Sequence, residues 1–214
     1  MNMAISQHVL PKPRDWDAAI NMAGFIRMPA RNDWLPPDRL VRFLDTEKPV
    51  IYLGLGSMMV NNPRSIVDAF CTAVTSAGCK LVVSGGWSEL QATANAGNDV
   101  LNIDGIPHDW LFPKMALIAH HCGAGTTAAA IAAGRPNFAI PFMADQFFWR
   151  DRMSRLGIMA GSARKAVSAQ DVGNAIDVAR NDREMARRCQ KLAQNLASED
   201  AVANAVVFIE KLFL

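Results

Sequence analysis

The texture of the chain changes at Pro49. Before it, Pro, Asp and Trp interrupt every period. "LPKPRDWDAAINMAGF" and "RNDWLPPDRL" read as irregular, with one short strand expected over residues 22–26. After it, short apolar runs recur at intervals. "VIYLGLGS", "KLVVS", "VLNI", "ALIAH" and "NFAI" are rich in β-formers and bounded by Gly, Pro or polar residues, so each predicts a buried strand. "GIMA" predicts a sixth. Helical stretches lie between them. "PRSIVDAFCTAVTSAG" opens on Pro63 and closes on Gly78. "GGWSELQATANAG" predicts a loop with a helix, and "PHDWLFPKM" a single helical turn. Further helices are expected over residues 123–133 and 146–156, with two or three more from 168 to 214.

Apolar strands alternating with helices imply an α/β protein: a Rossmann-like, doubly wound parallel sheet of about six strands with helices on both faces. The division expected is a lead-in over residues 1–40 and one domain over 41–214. In such a sheet the ligand sits outside the carboxyl ends of the strands. The junctions at residues 54–58, 84–87, 106–110, 120–127 and 141–146 are therefore the candidate sites.

The junction "ALIAHHCGAGTT" runs from an apolar strand straight into a helix. Gly123 and Gly125 carry no Cβ where a ligand would approach the backbone. The first helical N–H groups lack intrahelical partners and carry partial positive charge, while Thr126 and Thr127 add hydroxyl donors. That combination suits a phosphate, and a neighbouring histidine can donate to a phosphate oxygen. The alternative is an ordinary tight turn with a structural histidine. In "AIPFMADQ", Asp145 and Gln146 follow the next strand. A carboxylate beside an amide accepts from and donates to vicinal hydroxyls, as on a sugar ring. The alternative is that Asp145 caps the next helix, worth about 1 kcal/mol. Diphosphate donors at one strand end and a hydroxyl reader at the next point to a nucleotide sugar.

Half of the 214 residues are hydrophobic and a fifth are charged, enough for a packed core. A net charge of +2 without a Lys/Arg cluster argues against nucleic acid as a partner. Cys71, Cys79, Cys122 and Cys189 show no metal-ligand spacing and read as reduced thiols of a cytoplasmic protein. No apolar run approaches the roughly 18 residues of a membrane span, which leaves peripheral membrane association open. "GLGSMM" lacks the third glycine of a dinucleotide fingerprint, since Met59 stands there. Asp15-Trp16-Asp17 mimics a D-x-D metal motif but lies in the irregular segment, so it reads as solvated linker.

Taken in order, "HHCGAGTTAAAIAAGRPNFAIPFMADQFFWRDRM", "HVLPKPRDWDAAINMAGF", "PPDRLVRFLDTEKPVIYLGLGSM", "VSGGWSEL" and "IPHDWLFPKM" resemble the family 1 glycosyltransferases. They are most similar to the sterol-3-β-glucosyltransferase-like branch, which includes bacterial antibiotic and glycolipid enzymes. The resemblance implies the C-terminal half of a GT-B fold, in which two Rossmann-like domains face across a cleft and the C-terminal one binds UDP-sugar. By resemblance, His121 rather than His120 matches the diphosphate histidine. Gly123, Gly125 and Thr126 match the phosphate turn, and Ser57 a loop serine near it. Asp145 and Gln146 match the sugar-reading pair, while Trp87 and His108 frame the uridine. Plant members have a Trp that stacks on uracil where this chain reads Ile106-Pro107-His108, and their Asn-Ser is Gly125-Thr126 here.

The resemblance further implies an inverting transfer, UDP-glucose as the default donor, a lipid, sterol or natural-product acceptor, and neither metal nor cofactor. The acceptor site and its base belong to the family's N-terminal domain. This chain is therefore expected to be a donor half without a catalytic base, working with that domain in cis or in trans. A non-catalytic nucleotide-sugar-binding module and, more remotely, an epimerase-like domain are the rival readings.

Overall fold

The computed structural model describes residues 1–17, 19–28, 33–56, 58, 62–85, 97–163 and 166–211. Six parallel strands form one sheet in the order β5-β4-β3-β6-β7-β8. They are β3 (Val50–Gly54), β4 (Lys80–Ser84), β5 (Val100–Ile103), β6 (Leu117–His120), β7 (Asn137–Ala139) and β8 (Met159–Ser162). Every apolar run that predicted a strand supplies one. The chain winds outward from β3 through β5, returns to β6, and winds the other way to β8. The switch point lies between β3 and β6, where Gly54 pairs with His120 at the last rung. Ligands of open α/β sheets sit in the crevice outside that point.

The two faces are covered differently. On one, α2 (Pro63–Ser76) and α6 (Ala169–Asn181) bury Ile66, Phe70, Val74, Val172 and Ile176 against the alternate residues Ile51, Leu53, Leu81 and Val83. Phe70 meets Phe138 of β7 edge-on at 5.8 Å and 89°, a contact worth about 0.5–1.5 kcal/mol beyond its buried area. On the other lie α1 (Asp38–Leu44), α3 (His108–Leu111) with its 3-10 extension Phe112–Lys114, α4 (Ala124–Ala132), α5 (Gln146–Arg155) and α7 (Arg183–Ala197). α8 (Ala201–Glu210) follows α7. Side chains of Asn62, Ser168, Asp182 and Asp200 cap α2, α6, α7 and α8, each worth about 1 kcal/mol.

The lead-in is more ordered than its composition predicts. The strand expected over residues 22–26 is the two-residue β2 (Asn21–Met22), paired in parallel with β1 (Asn2–Met3). Val9 and Phe25 bury themselves beside Trp149 and Met153 of α5, and the Arg152 guanidinium binds the Val9 carbonyl. The helix expected within "GGWSELQATANAG" falls largely outside the described residues.

Candidate functional site

β6 ends in His120, and His121 follows it with the opposite fate. His120 is fully buried. The Cys122 amide donates to its Nδ1 at 3.2 Å, which makes Nδ1 the acceptor and leaves the ring proton on Nε2. Nε2 then donates to Asn137 Oδ1 at 3.1 Å, and the Asn137 amide donates to the Arg135 carbonyl at 2.9 Å. This closed network holds the neutral ring. Burial above all, with His121 nearby, pushes its pKa down to about 3. Folding therefore favours the uncharged form. That stabilisation is complete above the unfolded value of about 6.5 and is lost as the pH falls towards 3. At pH 5 the loss from His120 alone is expected to be about 2 kcal/mol. Urea unfolding at pH 7 and pH 5 reads this directly, and His120→Gln should flatten the difference.

His121 turns the other way. Cys122 takes a positive φ of 66°, a strained conformation for a non-glycine residue, just as the chain leaves the strand. The His121 ring lies between two glycines. A Cβ on Gly56 would stand 2.8 Å from its Cε1, and one on Gly123 2.4 Å from its Nε2. Both glycines thus make room for an imidazole at the switch point. Gly123 was expected to clear the backbone for a ligand, and in the structure the histidine occupies that space. His121 Nδ1 is buried without a hydrogen-bond partner among the described residues, as is Thr127 Oγ1. Such orphaned groups are rare and call for an explanation. Burial lowers the pKa of His121 while Asp145 opposes the shift, so at neutral pH the ring is an uncharged donor.

α4 begins beside this ring. Gly123 is its N-cap, with no side chain bonded into the cap. The first helical hydrogen bond is that of the Thr127 amide to the Gly123 carbonyl at 2.8 Å, so the amides of Ala124, Gly125 and Thr126 precede it and are free for an anion. A Cβ on Gly125 would meet nothing within 4 Å, so packing does not require glycine there. Gly125→Ala should stabilise the fold by about 0.5–1 kcal/mol, the usual helical difference. If a phosphate approaches that amide, the same substitution should weaken UDP binding about tenfold. Thermal melting and titration of one variant check both signs. Unchanged affinity would mean that the open space is not a ligand's.

The β7–α5 junction carries the second pair. Ala144 takes a positive φ of 50° ahead of Asp145. The Gln146 side-chain carbonyl accepts from the amides of Phe142 at 2.7 Å and Met143 at 3.2 Å, and its Nε2 points to Met58 Sδ at 3.1 Å. It therefore stitches this junction to the loop after β3 and keeps only amide donors for a ligand. Asp145 holds the N-cap position of α5 but makes no capping hydrogen bond. Its Oδ2 accepts instead from the Trp149 indole at 3.0 Å. The helix-capping role is thus not the one observed.

His108, first residue of α3, stacks on Phe112 at 4.2 Å and 14°, with Tyr52 edge-on at 6.1 Å. Burial lowers its pKa, Asp109 opposes and His121 adds to the shift. A groove of about 880 Å³ runs along the outer face of α4, lined by Ala124, Gly125, Ala128 and Ala129 and flanked by His108 and Trp149. His121, Gly123, Gly125, Thr126, Asp145, Gln146 and His108 thus share the carboxyl edge of the sheet. Ser57 and Trp87, expected near phosphate and uridine, lie outside the described residues. Gly56 and Trp149 were not anticipated. The Gly-x-Gly of "GLGS" carried a signal for Gly56, and nothing local pointed to the indole bond.

The family described as "Erythromycin biosynthesis protein CIII-like, C-terminal domain" matches residues 72–212. Over 204 residues the chain is 33% identical to sterol 3-beta-glucosyltransferase UGT80A2 of Arabidopsis thaliana, covering 94% of this chain and 32% of that protein. It is 30% identical over 213 residues to a sterol 3-beta-glucosyltransferase of Saccharomyces cerevisiae, covering 94% of this chain and 18% of that one. The chain thus spans about a third of the plant relative's length and less of the yeast one's. Among solved structures, the calicheamicin glycosyltransferase CalG4 superimposes with a TM-score of 0.77 at 18% identity, over 98% of this chain and 51% of that one. The kitacinnamycin glycosyltransferase does so with a TM-score of 0.75 at 18% identity, over 96% and 53%. The chain belongs to the erythromycin biosynthesis protein CIII-like C-terminal domains of the family 1 glycosyltransferases, in the branch of the sterol glucosyltransferases, and it has the architecture of a GT-B C-terminal domain.

Proposed function

We propose that the chain binds a UDP-sugar, UDP-glucose first, as the donor half of an inverting, metal-independent glycosyltransferase. The observation that carries this reading is the switch point itself. An uncapped helix N-terminus and the His121 ring meet there, with Gly56 and Gly123 cut back to admit the ring and Nε2 on the Gly123 side. A diphosphate brings acceptors for the amides of Ala124, Gly125 and Thr126. The names of the relatives support glucose as the sugar and a sterol as the acceptor.

In this reading the α4 amides and His121 stabilise the charge that grows on UDP as the sugar leaves. Donors already in place at that point require no reorganisation during the reaction. They supply in neutral form what a divalent cation supplies in other transferases. Asp17 of the D-x-D lookalike supports the same view, since its carboxylate is used locally, accepting from the Ala19 amide at 2.7 Å. Acceptor positioning and the base fall to a partner domain, in cis or in trans. The enzyme so completed would work in the cytoplasm or at a membrane surface, where a lipid acceptor lies.

Asp145 offers the cleanest test of the sugar subsite. Asp145→Ala should lower affinity for UDP-glucose by about 1.5 kcal/mol or more, the value of a hydrogen bond to a charged group. Affinity for UDP should hold. Calorimetric titration with the two ligands separates these cases, and equal loss for both would reduce Asp145 to a structural role.

A further inference from the structure

Trp149 links the sugar-reading pair to the N-terminal segment. It is 4% exposed, packed at 6.0 Å and 55° on Phe25 and at 5.1 Å and 79° on Phe148. A buried indole N–H needs an acceptor, and backbone carbonyls are the common choice. Here the acceptor is the carboxylate of Asp145, an exposed residue one helical turn earlier.

That choice replaces the usual one. An aspartate at an N-cap position ordinarily accepts from the amides of the first helical turn. Asn62, Ser168, Asp182 and Asp200 all do so in this chain, and Asp145 does not. The Asp145 backbone is itself helical, at φ −66° and ψ −13°, unlike those four caps, so its carboxylate is not set over the first-turn amides; the indole takes Oδ2, and Oδ1 is left as an acceptor at the carboxyl edge. Gln146 is pinned in the complementary sense, its oxygen consumed by two backbone amides and its nitrogen keeping one N–H beyond the bond to Met58 Sδ. Together the pair presents one acceptor and one donor, which is what two adjacent sugar hydroxyls require.

We propose that Trp149 is a positioning residue of the sugar subsite, fixing the Asp145 carboxylate through Oδ2 so that Oδ1 meets the vicinal hydroxyls of the donor hexose. The proposal rests on the UDP-sugar reading above. With the indole N–H gone, the carboxylate loses the bond that fixes its rotamer.

The test is titration of the 214-residue chain and its Trp149→Phe, Asp145→Ala and doubly substituted forms with UDP and UDP-glucose. Trp149→Phe is expected to weaken UDP-glucose about 3–10-fold, to leave UDP within about twofold, and to add nothing in the Asp145→Ala background. Equal loss for both ligands, or a further loss on top of Asp145→Ala, would overturn the proposal and make Trp149 a packing residue. If the unsubstituted chain binds neither ligand, the UDP-sugar reading falls and the proposal with it. If it binds both and Trp149→Phe changes nothing, only the proposal falls. A second readout needs no core substitution. The indole ¹⁵N–¹H resonance of Trp149 should shift on adding UDP-glucose to the native chain, and not on adding UDP. A resonance that ignores both ligands also overturns the assignment.

Discussion

Given UDP-glucose and a sterol, the purified chain is expected to transfer glucose at least about 10⁵-fold more slowly than the same chain mixed with a separately expressed acceptor-binding domain. Holding two reactants in register accounts for about 7–11 kcal/mol of a barrier, and in the proposed reading the acceptor is held by the partner domain. A general base contributes a further 10²–10⁴-fold or so. Among the described residues His8 stands 4.0 Å from the Glu199 carboxylate. Glu199 is already engaged by the Ser6 hydroxyl at 2.7 Å, and the pair ties the N-terminal segment to the start of α8 rather than lining the groove beside α4. Without a facing domain the α4 amides would stay in water, which weakens each charge interaction. Slow hydrolysis of the donor is the most the lone chain should manage. Turnover at ordinary enzyme rates, about 1–10³ s⁻¹, would mean that these 214 residues contain a base and an acceptor site after all.

The two adjacent histidines should separate cleanly. His121→Ala is expected to cost about 1.5–3 kcal/mol of UDP affinity, or roughly 10–150-fold, because it removes a donor from a charged group. Its effect on stability should be small, since Nδ1 makes no bond that the substitution would break. His120→Ala should do the reverse. It empties a fully buried site and strands the Cys122 amide and Asn137 Oδ1 without their partner, each at about 1–3 kcal/mol. Paired urea unfolding and titration read both columns. An exchange of the two effects would show that the register of the site is off by one residue.

That register was the least legible part of the sequence. All four residues of β6 are buried, so alternation along the strand does not say which histidine faces a ligand. Family resemblance favoured His121. The physical reason is in three dimensions, in the positive φ of Cys122 and the gap opened by Gly56 from another strand. The six strands were legible because each is a compact run of β-formers closed by Gly, Pro or a polar residue. The β1–β2 pair was not, since two-residue strands carry no period and their partners lie 19 residues apart. Nor was α1, whose seven residues are too few to establish a helical repeat, although Pro37 and Asp38 mark its start. Asp145 was legible as a cap or a sugar reader. Its bond to Trp149 was hidden because an N-cap aspartate carries a strong local expectation, which here yields to a side chain one turn along the same helix.

The central claim is that the carboxyl edge of this sheet is a nucleotide-sugar site built from a helix N-terminus and a histidine. Calorimetric titration of the chain with UDP and UDP-glucose, with and without a chelator, addresses it directly. Saturable one-to-one binding of both ligands, unchanged by the chelator and weakened by His121→Ala, is the predicted result. No binding of either ligand, or binding that vanishes with the chelator, would contradict it.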